Sequence, residues 1–171
     1  EEVLAATQRD HLAFVAGLSC ALLLLPRAFG GAVRRETEGL RAALRTLEGL
    51  PHRAQALADV AGRRVVDNGV STTPDSALSA LQSIAGPVTL LVGGKRKRGL
   101  SFDELAAAAA RRAALVVSFG ASGGELVERF AAAGADARAV DTLPEAARVA
   151  LHATPRGGTL LFSPACASFD A

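Results

Sequence analysis

The chain has 171 residues, half of them hydrophobic, which is enough for one full domain and part of another. Its formal charge of +2 is too small to point to a polyanion partner. The two cysteines, Cys20 and Cys166, lack CxxC or Cys/His spacing, which argues against a zinc site or a disulfide framework and fits a reducing cytoplasm.

Residues 1–48 read as helical. Leu40, Leu44 and Leu47 recur at helical spacing, Gly49 sits where a terminating glycine belongs, and Pro51 reinforces the stop. The apolar run 13–26 is shorter than the ~20 residues that a spanning helix needs. It also lies too far behind Glu1 and Glu2 for a signal peptide, so a buried helix is expected. The chain holds no Met, and residue 1 is therefore expected to be internal to a longer or processed protein. The expected domains are a helical segment over 1–48 and an α/β domain over 49–171.

From residue 54 strands alternate with helices. Residues 54–60 and 63–67 flank Ala61-Gly62 and predict a hairpin. Residues 87–92, 114–119, 135–141 and 158–162 are short Val- and Leu-rich segments, expected to be parallel strands buried on both faces. A turn is expected at Ser163–Pro164. Helix starts are marked by Thr73-Pro74 and by Ser/Thr-x-x-Glu boxes at Ser101/Glu104, Ser122/Glu125 and Thr142/Glu145. The expected fold is α/β, a mostly parallel sheet with helices on both faces, preceded by a helical segment.

Ligands of such sheets collect beyond the carboxyl ends of the strands. The loop 67–74 is polar and opens into a helix, so it reads either as an anion site or as an ordinary capped loop. The loop 93–99, Gly-Gly-Lys-Arg-Lys-Arg-Gly, offers close backbone approach and four cations to a carboxylate or phosphate; the alternative is a solvated turn. Without interleaved aromatics or an extended basic face, nucleic acid is not expected. The turn 120–124 reads as a helix start, because neither G-x-G-x-x-G nor G-x-x-x-x-G-K-[ST] occurs in the chain. Residues 163–170 serve either tight packing or a ligand hydroxyl at Ser168. His11, His52 and His152 are scattered, and no general base is assigned.

Several stretches together resemble one family. Ser163-Pro164-Ala165-Cys166-Ala167-Ser168 is similar to a signature near the end of the Mur ligases that add D-glutamate. Gly49-Leu50-Pro51-His52-Arg53 resembles the opening of that family's third domain. Residues 66–74 stand at its Asn-Asp-Ser-Lys-Ala-Thr-Asn-Pro loop, and Gly93-Gly94-x-x-Lys97 at its glycine pair and lysine. The resemblance implies a Rossmann-like third domain of an ATP-dependent ligase that joins D-glutamate to UDP-MurNAc-L-alanine in peptidoglycan synthesis. It implies that Thr72, Lys97 and Ser168 bind the incoming amino acid's carboxylate. It also implies that Arg53 reaches toward the nucleotide phosphates and that Asn68 hydrogen-bonds the ribose. ATP and Mg2+ would be held mainly outside this chain, with no catalytic residue or metal ligand within it. A cytoplasmic monomer with no membrane partner is expected, and the chain alone is expected to be inactive.

The sequence also departs from the pattern. The family's loop Asp and Lys are here Asn68 and Val70, an extra residue precedes Gly99, and Arg9-Asp10-His11 keeps little of the central domain's Gly-x-His-Asn-x-x-Asn. These departures leave a rival expectation, a degenerate ligase-like binding module without catalysis.

Overall fold

The computed structural model describes residues 50–167. The helical segment expected over 1–48 and Ser168 lie outside the described residues.

The first two strands, β1 (Gln55–Asp59) and β2 (Arg64–Asp67), form the expected antiparallel hairpin. Val60 and Arg63 exchange backbone hydrogen bonds of 2.8 and 3.1 Å across the turn. Ala61 and Gly62 both have positive φ, 52° and 75°, as the right-twisting two-residue hairpin turn requires. The remaining elements alternate: α1 (Pro74–Ser83), β3 (Val88–Gly93), α2 (Asp103–Arg112), β4 (Ala113–Phe119), α3 (Gly123–Ala132), β5 (Ala137–Ala139), α4 (Leu143–Ala153) and β6 (Thr159–Ala165).

The six strands lie in the order β1-β2-β6-β3-β4-β5, and every pair except β1–β2 is parallel. This is an α/β, Rossmann-like sheet. Two apolar layers cover it. Val66, Leu90, Val116 and Leu161 pack on one face with Leu81, Leu105 and Phe130 from α1, α2 and α3. Leu91, Leu115, Val117 and Leu160 pack on the other with Ala146 and Ala150 of α4. Strand residues alternate between the layers because successive side chains point to opposite faces.

Four expectations are corrected. Instead of turning at Ser163–Pro164, β6 runs through both residues to Ala165. Leu91 pairs with Phe162 but Gly93 with Ala165, so β6 carries an extra residue there. A proline with no N–H is accommodated at such a bulge. Second, β5 is a three-residue edge strand, half-buried at its first residue and exposed at the others, rather than a buried strand over 135–141. Third, Ser101 does not cap α2. Its Oγ accepts from the Asp103 amide at 3.1 Å, and Phe102 occupies the cap position. Fourth, Ser122 stands at the cap of α3, but its hydroxyl does not cap it. Thr73 and Thr142 do cap α1 and α4, accepting from the Ser76 and Glu145 amides. Gly134 (φ 92°) ends α3 in a Schellman motif, with Ala135 N bonded to Phe130 O and Gly134 N to Ala131 O.

Candidate functional site

The parallel strands β2, β6, β3 and β4 end at one edge of the sheet, so the loops after them share one rim. The loop after β3 is held by its neighbours. Gly94 N donates to Phe119 O (3.1 Å), Ser122 N to Gly94 O (2.9 Å), and Lys95 N to Ala167 O (3.2 Å). Arg96 N donates to Ser122 Oγ at 3.0 Å. The hydroxyl expected to cap α3 is thus occupied by the basic loop.

The loop after β2 is ordered from within. Asn68 is buried at 1 % exposure. Its Oδ1 accepts from Ala54 N (3.2 Å) and its Nδ2 donates to Ser163 Oγ (3.1 Å). Its backbone N donates to Phe162 O, its carbonyl accepts from Ser71 N, and Ala165 N donates to Ser71 O. Ala165 takes a left-handed φ of 57°, a strained geometry for a residue with a Cβ. These bonds set Thr72 on the rim, where Lys97 Nζ donates to Thr72 Oγ1 at 3.3 Å.

Two of the three residues expected to bind the amino acid's carboxylate, Thr72 and Lys97, therefore meet, although 25 residues separate them in sequence. The third, Ser168, follows Ala167, which bridges to Lys95. Arg53 is half-buried, between His52 (φ 60°) and Ala54 (φ 47°). Asn68, expected at the ribose, spends its amide on internal contacts.

Sequence reasoning overlooked two features. His52 Nδ1 pairs with Asp67 Oδ2 at 2.7 Å, while Asp67 Oδ1 accepts from Gly69 N at 2.7 Å. The 15-residue gap carries no local signal, and only the hairpin brings the pair together. Arg96 is the second. Its Nη2 pairs with Glu125 Oε1 at 3.1 Å, and its Nη1 donates to Leu100 O at 3.3 Å. Glu125 also holds Arg129, so Arg96 is a tethered cation rather than a free one.

Cys166 is buried just past β6. Burial pushes its thiol up to about 11; nearby Arg96 opposes that shift and Glu125 adds to it. The thiol is therefore uncharged at neutral pH. A cleft of about 290 Å³ opens beside the starts of α1 and α2, but Asp75, Asp103 and Glu104 line it and would repel a carboxylate. Among the described residues, no group of three or more His, Cys, Asp or Glu converges as a cation site.

Comparison with known proteins gives a consistent result. Residues 52–166 match the family model described as "Mur ligase, glutamate ligase domain". The UDP-N-acetylmuramoylalanine--D-glutamate ligase of Pelotomaculum thermopropionicum is 36% identical over 136 residues, covering 79% of this chain and 30% of that protein. The ligase of the same name from Nitrosomonas europaea is 36% identical over 157 residues, covering 91% of this chain and 33% of the relative. The chain thus spans about a third of the length of these relatives. Among solved structures, UDP-N-acetylmuramate-alanine ligase from Thermotoga maritima superposes with a TM-score of 0.57 at 20% identity, over 85% of this chain and 33% of that one. The bifunctional folylpolyglutamate synthase/dihydrofolate synthase of Yersinia pestis, complexed with AMPPNP and Mn, gives 0.56 at 20% identity, over 77% and 32%. At such identities these two structures share the fold alone.

Proposed function

This chain belongs to the Mur ligase family, and on that premise we propose that it is the D-glutamate-binding part of an ATP-dependent ligase. The parent reaction joins D-glutamate to UDP-MurNAc-L-alanine in peptidoglycan synthesis. The observation that carries the reading is the contact between Lys97 Nζ and Thr72 Oγ1 at the rim of the sheet. An ammonium has three donors, and only one is spent on Thr72. By accepting from Lys97, the Thr72 oxygen leaves its own O–H free to donate outward. The pair thus offers a carboxylate one full positive charge and several aligned donors, and Ser168 would add another. The basic loop supplies attraction while the hydroxyls fix orientation. D-glutamate is held there so that its amine can attack an acyl phosphate formed on the partner substrate.

For the nucleotide, Arg53 would contact the phosphates. Arg53 fits a phosphate contact, and among the described residues no group of three or more His, Cys, Asp or Glu offers a cation site; on this reading ATP and Mg2+ would be held mainly outside this chain. Among the described residues no helix is long and apolar enough to cross a membrane. The same reading carries a cytoplasmic monomer with no nucleic-acid partner.

NMR titration of the chain with D-glutamate tests the site. The expected result is saturable shifts at the Thr72 and Lys97 amides, and binding at least about tenfold weaker for Lys97→Ala, the smaller end of what a charged hydrogen bond contributes. Absence of shifts, or equal affinity for the variant, would refute the assignment.

A second reading is a ligase-like binding module without catalysis. It is favoured by Asn68, committed internally, and by Val70, 38% exposed where the resembled loop has a lysine. Calorimetry against D- and L-glutamate separates the two. Heat selective for the D-isomer and lost in Lys97→Ala supports the ligase, and heat without that selectivity, or none, supports the module.

A further inference from the structure

We propose that Glu125 is a positioning residue for anion binding: through Arg96 it holds the basic loop so that Lys97 faces Thr72. The inference rests on the reading of Lys97 and Thr72 given above. Arg96 immediately precedes Lys97, and its backbone and side chain are both anchored. The amide donates to Ser122 Oγ (3.0 Å), one guanidinium nitrogen to Leu100 O (3.3 Å), and the other pairs with Glu125 Oε1 (3.1 Å). Ser122 and Glu125 belong to the start of α3, whose helical backbone is set by the sheet packing of Leu126 and Phe130. The loop is therefore pinned to a rigid element on one side of Lys97 and closes on Leu100 beyond it. Lys97 itself is exposed and has only the Thr72 hydroxyl as partner among the described residues. Its four-carbon stem carries considerable rotamer freedom. Without the clamp, only the Thr72 contact would hold its ammonium at the rim.

Glu125 also contacts Arg129 at 3.1 Å, one helical turn on. That second cation orients the carboxylate toward Arg96 from the helix side. The Lys95–Ala167 bridge, one residue before Arg96, ties the chain leading into Ser168 to the same loop. The loop that carries Lys97 is thereby joined to the segment that leads into Ser168.

Charge and positioning predict opposite signs for the loss of Glu125. Glu125 is negative and lies near a proposed carboxylate site. By charge alone its removal should tighten anion binding. If it acts by holding the loop, its removal should weaken binding instead. The experiment is NMR titration of the chain and its variants with D-glutamate, with amide relaxation measured at Lys97. Glu125→Gln is expected to weaken binding by roughly three- to tenfold, the size of coupling between contacting neighbours. The order parameter at Lys97 should fall toward that of a flexible loop. Arg96→Ala should do the same, and Arg96→Lys, which keeps a cation for Glu125, should recover part of the affinity. Glu128→Gln removes an equal charge from an exposed position of the same helix, away from these contacts, and should leave binding unchanged or slightly tighter.

Equal or tighter binding by Glu125→Gln, while Lys97→Ala still weakens it, would overturn the clamp and leave the site reading standing. Unaltered binding by Lys97→Ala, or none by the wild-type chain, would overturn the site reading and the clamp with it.

Discussion

Replacing Gly93 by alanine is expected to destabilise the domain strongly, although only one methyl group is added. Gly93 ends β3 and pairs with Phe119 on β4 and Ala165 on β6. A Cβ there would collide with the Phe119 carbonyl oxygen and lie 2.6 Å from Phe119 Cδ1. The ring can rotate away, but the carbonyl cannot, because it belongs to the neighbouring strand and accepts from Gly94 N at 3.1 Å. Relief requires β4 to move by roughly an ångström, and overpacking of this kind is worth about 1–3 kcal/mol. Weakening the Gly94 bond adds about 1 kcal/mol, which brings the expected loss to roughly 2–4 kcal/mol. For a unit of about 120 residues the unfolding entropy is near 0.25 kcal/mol/K, so Tm should fall by roughly 8–16 °C. Differential scanning calorimetry, supported by urea unfolding with an unchanged m-value, measures this directly. A Tm within about 2 °C of wild type would refute the reasoning, since the strands would then have room that the geometry denies them. Lys97 follows on the same loop, so any surviving fold should also bind D-glutamate more weakly.

Other outcomes follow from the same contacts. Gly124→Ala, in the first turn of α3 with open space around the new methyl, should stabilise by about 0.5–1 kcal/mol; a lowered urea midpoint would contradict it. Asn68→Ala strands the buried Ser163 hydroxyl and removes the acceptor of Ala54 N, which should destabilise by about 1–3 kcal/mol; a midpoint equal to wild type would count against the assigned role. The Cys166 thiol is raised from 9.0 to about 11 by burial. Between those values the unfolded chain releases a proton that the folded chain keeps, so stability should decline as pH rises from about 9 to about 11. Cys166→Ala should lack that component, and parallel pH profiles for the two proteins would refute it. The chain on its own should release no phosphate from ATP in response to both substrates, as a coupled phosphate assay would detect.

Much of the fold was legible in the residues because its signals are local. Thr73 and Thr142 cap helices through amides three residues away, Ala61-Gly62 turns a hairpin, and Gly134 ends α3, each by contacts within a few residues. The apolar segments likewise announced strands of a parallel sheet. The errors arose where a distant partner outcompeted the local one. Ser122 carries a capping pattern, yet its hydroxyl is taken by Arg96 N, 26 residues earlier. Pro164 signals a turn, but strands β2 and β3 flank β6 and carry it through as a bulge. Asn68, which the family resemblance sets at the ribose, has an amide partner in Ser163 that only the packing of β6 supplies.

The sequence by itself determined the alternation of strands and helices, the family, and the residue types gathered in each loop, because periodicity, capping and turn chemistry act over short spans. Only the tertiary structure decided which of those residues meet. The strand order, with β6 between β2 and β3, brings Thr72 to Lys97, the β1–β2 hairpin brings His52 to Asp67, and the β3–β4 pairing brings Arg96 to Glu125. Such pairings depend on loop closure and sheet register, and no short window of sequence encodes them.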